Sequence, residues 1–333
     1  MRRYLAAQNA EDGVSELTCL EICAGAGGQA LGLERAGFEP LALVELELPA
    51  CQTLRANRPK WNVVNGDIRS FSGVSLRGVD LLAGGVPCPP FSVAGKQLGA
   101  NDDRDLFPEA LRIAAECKPQ AIMLENVRGL LGAVFDDYRT RLKHQLKELG
   151  YITDWRLLNA SDYGVPQLRP RVVVVALRPK AFEHFVWPVP VTRPLATVGE
   201  TLFDQMASCG WRGAKKWRDL ADDIAPTIVG GSKKHGGPDL GPSRARNAWS
   251  KLGVNGSTIA EQPPPANFVG MPRLTVQMAA RLQGFPEDWK FIGKKTPAYR
   301  QVGNAFPPPV AAAVAGQIRK ALLATSVKAL IAA

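Results

Sequence analysis

Short apolar runs alternate with helical patterns along the first half of the chain. Residues 17–23 (Leu-Thr-Cys-Leu-Glu-Ile-Cys) are mostly apolar and the right length for a buried strand. A glycine-rich turn over 24–28 leads into a helical pattern over 29–36. Further strand-like runs occupy 40–44, 61–64, 79–83, 121–124, 152–158 and 172–177, and helical patterns cover 107–117 and 136–149. Alternation of this kind predicts an α/β fold, Rossmann-like, with a largely parallel sheet and ligands gathered at the carboxyl ends of its strands. After the run at 79–83 the glycines and prolines of 84–90 are expected to stop both helix and ladder.

Beyond residue 177 the alternation is lost. Pro179, Pro188, Pro190 and Pro194 mark a linker, and residues 211–251 carry nine Lys/Arg against four Asp, with Trp211, Trp217 and Trp249 among them. An apolar helix from Pro309 to about Ala333 is expected to return to the first domain. The predicted division is a first domain, 1–185 plus 299–333, and a smaller, irregular second domain, 186–298, buttressed by 273–298.

The 333-residue composition, 46% hydrophobic and 22% charged, is that of a soluble globular protein, and a net charge of +10 suits a polyanionic partner. The six cysteines form no CxxC pair and read as reduced thiols of a cytoplasmic protein. The first twenty residues lack the apolar core of a signal peptide. Arg319, Lys320 and Lys328 interrupt the C-terminal apolar stretch, which argues against a membrane span. His144, His184 and His235 are too scattered for metal-ligand spacing, so no metal is expected.

Candidate chemistry collects where strands end. Gly25, Gly27 and Ala30 fit a dinucleotide-type fingerprint, with Gly28 beside them, where a ligand meets backbone and a helix N-terminus. Glu45 follows Gly25 by twenty residues, the place of an acid that binds ribose hydroxyls. Asp67 and Glu125 stand at two more strand ends. Cys88, in Pro-Cys-Pro-Pro just past the strand at 79–83, is placed as a nucleophile rather than as core filling.

Taken together, Glu21-Ile-Cys-Ala-Gly-Ala-Gly-Gly28, Gly66-Asp-Ile68, Pro87-Cys-Pro-Pro-Phe-Ser92, Glu125-Asn-Val127, Gln167-Leu-Arg-Pro-Arg171, Arg273-Leu-Thr, Arg281-Leu-Gln-Gly-Phe-Pro286 and Gly303-Asn304 resemble the DNA (cytosine-5) methyltransferases. The likeness covers nearly the whole chain in the family's order. It implies a two-domain enzyme that uses S-adenosylmethionine on double-stranded DNA, by base flipping. Cys88 would add to carbon 6 of the cytosine and Glu125 would protonate or bind N3. Arg169 and Arg171 would place positive charge around the base and orient Glu125. The cofactor would lie along Gly25, Gly27 and Gly28, with Glu45 on the ribose, Asp67 on the adenine amino group, and Ile68, Leu106 and Asn304 lining its pocket. Expected DNA contacts are Ser92, Lys96 and Arg104 near the closing loop, Lys233 and Lys234 in a groove-contacting loop, and Arg244 and Arg246. A monomer with a possible cognate restriction endonuclease is the expected setting. The chain departs from the family at Cys23 (Phe there), Leu46 (an aromatic) and Pro89 (Gln). The rivals are a relative that methylates transfer RNA and a non-catalytic DNA-binding relative.

Overall fold

The computed structural model describes residues 16–87, 105–192, 194–230 and 237–331. Seven strands form one sheet in the order β3-β2-β1-β4-β5-β7-β6. They are β1 (Leu17–Ile22), β2 (Phe38–Glu45), β3 (Val63–Asn65), β4 (Leu81–Gly85), β5 (Ala121–Val127), β6 (Ile152–Asn159) and β7 (Pro170–Leu177). The first five are mutually parallel, and β7 pairs antiparallel with both β5 and β6. β7 therefore runs alone against the rest, and its N-terminal end lies beside the carboxyl ends of the parallel strands. That reversal brings Arg171 opposite Val127.

The strand side chains obey the period-2 alternation of a sheet covered on both faces. Leu20, Ile22, Val44, Leu82, Ile122, Leu124, Val172 and Val174 pack one way, under helices α3 (Phe107–Cys117) and α4 (Asp136–Glu148). Cys19, Leu81, Ala83, Met123, Val173 and Val175 pack the other way, under the C-terminal helix Pro308–Ile331. By parity Glu21, Glu125 and Arg171 belong to this second face.

The remaining helices are α1 (Gly28–Arg35), α2 (Leu48–Asn57), α5 (Val198–Ala207), α6 (Ala214–Leu220), α7 (Ser243–Lys251), α8 (Val276–Leu282) and α9 (Lys295–Asn304), which makes the C-terminal helix α10; a single helical turn lies at Pro179–Phe182. A third core joins Leu31 of α1 to residues from Val198 to Ala305, with Trp217, Trp249, Trp289 and Tyr299 at its centre. Tryptophans in the basic region thus fill a core rather than face solvent. No helix of the described residues is long and apolar enough to cross a membrane.

Two expectations need correction. The glycines after β4 do not end it: the strand runs through Gly84 and Gly85, which pair with Leu124 and Glu125. Glycine is required there because a Cβ on Gly84 would sit 2.6 Å from Ile22 Cγ1, and one on Gly85 3.3 Å from Glu125 Oε2. Glu125 in turn lies inside β5 rather than beyond it.

Candidate active site

One cavity of about 720 Å³ opens where these strands end. Its wall includes Gly25 and Gly28 of the glycine turn, Glu45, Glu125, Arg171 and Asn304, joined by Val229–Gly230 and Gly303–Phe306. Residues far apart in sequence are brought together because four parallel strands and the reversed β7 all present the same edge.

The glycine turn is built for close approach. Gly25 and Gly27 adopt φ of +56° and +87°, in the left-handed region that favours glycine. A Cβ on Gly28 would come within 2.3 Å of Phe306 O. Trp289 Nε1 donates to Ala26 O at 3.2 Å, so the third core holds the turn from behind. Glu45 binds the turn directly: its Oε2 accepts from Gly25 N and its Oε1 from Glu47 N, both at 2.7 Å. Each carboxylate oxygen retains a further lone pair for a ligand hydroxyl.

Glu125 is 8% exposed and paired with Arg171, whose Nε lies 2.7 Å from Oε1. Burial raises its pKa, and Arg171 and then Arg169 pull it partly back, leaving it above the ordinary carboxyl value. A shift in that direction favours the protonated form, the one a general acid needs.

Arg169 departs from the expectation that both arginines orient Glu125. Its Nη1 donates to Ile228 O at 2.6 Å, and its Nη2 to Gly303 O at 2.7 Å and Ala305 O at 3.0 Å. With these donors spent on carbonyls, Arg171 alone contacts Glu125.

Gly27, Asp67, Ile68 and Leu106 are not part of the described cavity wall. Gly27 packs toward Leu54 and Trp289, and Asp67 accepts from Arg69 N at 2.9 Å and Nη1 at 3.1 Å. Ile68 is buried in the first core, and Leu106 precedes α3 and packs on that core. Arg244 is exposed on α7, and Arg246 donates to Ser243 Oγ at 3.3 Å. Cys88, Ser92, Lys96, Arg104, Lys233 and Lys234 lie outside the described residues.

The sequence reading passed over Glu21 and Gln29 as site residues. Both are buried in the cavity wall, and neither Glu21 oxygen nor Gln29 Oε1 has a hydrogen-bond partner. Burial, and next the charge of Glu45, hold the Glu21 carboxyl well above its ordinary range. Three unsatisfied acceptors in one wall call for a donor-rich ligand. The available signal was an acid at 21 inside an otherwise apolar strand. Cys23 also lines the cavity, but burial pushes its thiol up to about 12, which leaves it a poor nucleophile.

Comparison with known proteins agrees with this geometry. The profile of the C-5 cytosine-specific DNA methylases matches residues 17–320. The chain is 58% identical over 310 residues to the Type II methyltransferase M.NgoMIV of Neisseria gonorrhoeae, covering 92% of this chain and 98% of that one. It is 55% identical over 315 residues to the Type II methyltransferase M.NaeI of Lentzea aerocolonigenes, covering 93% and 76%. The solved structure of the Entamoeba histolytica methyltransferase EhMeth superposes with a TM-score of 0.65 at 15% identity, over 93% of this chain and 99% of that one, a likeness of fold. With the strand-end site and nearly the full length both accounted for, the chain belongs to the C-5 cytosine-specific DNA methylase family and is a DNA (cytosine-5) methyltransferase.

Proposed function

We propose that this protein transfers a methyl group from S-adenosylmethionine to carbon 5 of a cytosine in a specific double-stranded DNA sequence, as the methyltransferase of a bacterial restriction-modification system. The observation that carries this reading is that the Gly25–Glu45 turn and the Glu125–Arg171 pair share one cavity.

The residues present fit the cofactor. Its α-ammonium offers the donors that Glu21 and Gln29 lack, Glu45 retains lone pairs for a ribose diol, and Gly25, with open space where a Cβ would stand, allows close approach, while Gly28 makes room for Phe306. Asn304 lies on the same wall; Gly27 shapes the turn, and the resemblance adds Asp67, Ile68 and Leu106. When bound, the cofactor supplies an electrophilic methyl group.

The protein's own groups prepare the base. The Cys88 thiolate forms a bond to carbon 6, pushing electron density toward carbon 5 and N3. Protonated Glu125 donates to N3 as that charge develops, and Arg171 fixes the carboxyl while limiting how far burial raises its pKa. After methylation the carbon 5 proton passes to solvent, the electron pair it leaves restores the 5,6 double bond and expels Cys88 as thiolate, and N3 returns its proton to Glu125. The target base reaches the site by flipping out of the duplex. Residues 186–298 form the recognition domain, with Ser92, Lys96, Arg104, Lys233, Lys234, Arg244 and Arg246 contacting DNA. The protein works as a monomer in the bacterial cytoplasm, opposite a cognate endonuclease.

Bisulfite sequencing of plasmid DNA from cells expressing the protein, beside a Cys88→Ala control, tests the reading. Protected cytosines in one recurring sequence, absent from the control, are expected. Unprotected DNA from folded wild-type protein would sink the proposal.

A further inference from the structure

Three buried side chains that do not line the cavity support its wall. Gln167, Arg169 and Gln283 are all fully buried. Arg169 donates to the carbonyls of Ile228, Gly303 and Ala305, and all three of these residues line the cavity. Gln283 Nε2 donates to Ala305 O at 2.7 Å, and its Oε1 accepts from Gln167 Nε2 at 2.6 Å. Gln167 Oε1 accepts from Ile228 N at 3.0 Å, and its Nε2 also reaches Leu282 O at 3.2 Å. The three side chains form one connected network between the approach to β7, the segment entering Val229–Gly230, the end of α8 and the turn after α9.

Energetics set this network apart from ordinary core filling. The nearby acid, Glu125, is already paired with Arg171, so the Arg169 charge is compensated by carbonyl dipoles. A guanidinium buried this way costs stability that apolar packing would avoid. What it provides is geometry, since a planar fork fixes several acceptors at once. The walls it joins have little slack. A Cβ on Gly230 would lie 2.2 Å from Asn304 Oδ1, and one on Gly303 would lie 2.3 Å from Gly230 N.

We propose that Gln167, Arg169 and Gln283 form a buried latch that sets the Ile228–Gly230 wall against the Gly303–Ala305 wall, and so act as positioning residues for methyl donor and target base. The proposal rests on the cofactor and substrate reading given above. Arg169 thereby works through backbone carbonyls, and Arg171 through Glu125.

Gln283→Met keeps volume but removes the donor to Ala305 O and the acceptor of Gln167 Nε2. The probe is S-adenosylhomocysteine, titrated by calorimetry without DNA, followed by steady-state kinetics on duplex substrate well below the melting temperature. The variant is expected to bind the probe about tenfold more weakly, and to lose about 100-fold in kcat/KM, the scale of a sub-ångström to 1 Å misplacement. Arg169→Lys, which keeps the buried charge but loses the fork, is expected to fall in the same direction, and it carries the test if Gln283→Met does not fold. A lowered melting temperature with wild-type probe affinity and wild-type kcat/KM in both folded variants would overturn the latch. Wild-type protein that binds no probe would instead overturn the cofactor reading itself.

Discussion

Glu21 presents a conflict between burial and charge. A carboxyl 1% exposed with no hydrogen-bond partner is unfavourable in its charged form, and burial raises its pKa well above the ordinary 4.5. The unfolded chain releases this proton near the ordinary value, whereas the native state holds it to higher pH. Stability therefore falls as pH rises from about 4.5 toward the raised native pKa, and remains lower above it. Glu21→Gln should melt higher than wild type at pH 8, with the difference vanishing below about pH 4.5, as thermal unfolding across pH would record. The same variant should bind S-adenosylhomocysteine about 10- to 100-fold more weakly, the loss of one charge-assisted hydrogen bond. Identical pH profiles for the two proteins would refute the account. Glu125 shows the contrasting solution, in which Arg171 offsets part of the same burial penalty.

At the level of elements, what the sequence made legible follows from how strongly each segment depends on its own pattern. α3 is found over the predicted 107–117, because its apolar positions recur at helical spacing on one face. The core strands were legible as apolar runs because a sheet covered on both faces leaves no polar alternation. α2 was not anticipated: its buried face is only Ala50, Cys51, Thr53 and Leu54, and Pro49 in its first turn reads as a breaker rather than a helix start. The extension of β4 through Gly84 and Gly85 was hidden because it depends on neighbours, Ile22 and Glu125, that only the fold brings alongside. The carbonyl contacts of Arg169 are hidden for the same reason, since these partners lie 59 to 136 residues away. The packing of α1 on α10 is a sharper case. Gly32 is a helix-interior glycine, where alanine would gain about 1 kcal/mol of propensity. Here a Cβ would meet Ala311 Cβ at 2.4 Å and Pro308 O at 2.7 Å. Overpacking against backbone should outweigh propensity, so Gly32→Ala is expected to destabilise by about 1–3 kcal/mol in urea unfolding. A stabilised variant would show that the two helices can separate without loss.

The whole molecule carries a net charge of +10, and part of that excess is displayed on α7, where Arg244 is exposed. Phosphate contacts made by such residues bind DNA of any sequence and weaken with salt. Arg244→Ala should lower affinity for cognate and unrelated duplexes alike and reduce the slope of log affinity against log salt by about 1. A loss confined to the cognate duplex would instead make Arg244 a base reader. The molecule also closes on itself: α10 covers the sheet face beside α1, which lies far earlier in the chain. On the ribosome, the chain between Arg35 and Pro308 takes roughly 15 to 55 s to appear, at ~5–20 residues per second. Through that interval the glycine-lined side of α1 has no partner, and the Gly303–Ala305 wall does not yet exist. A nascent chain that has not yet delivered α10 therefore lacks one wall of the cavity, and methyl transfer waits until that helix has docked.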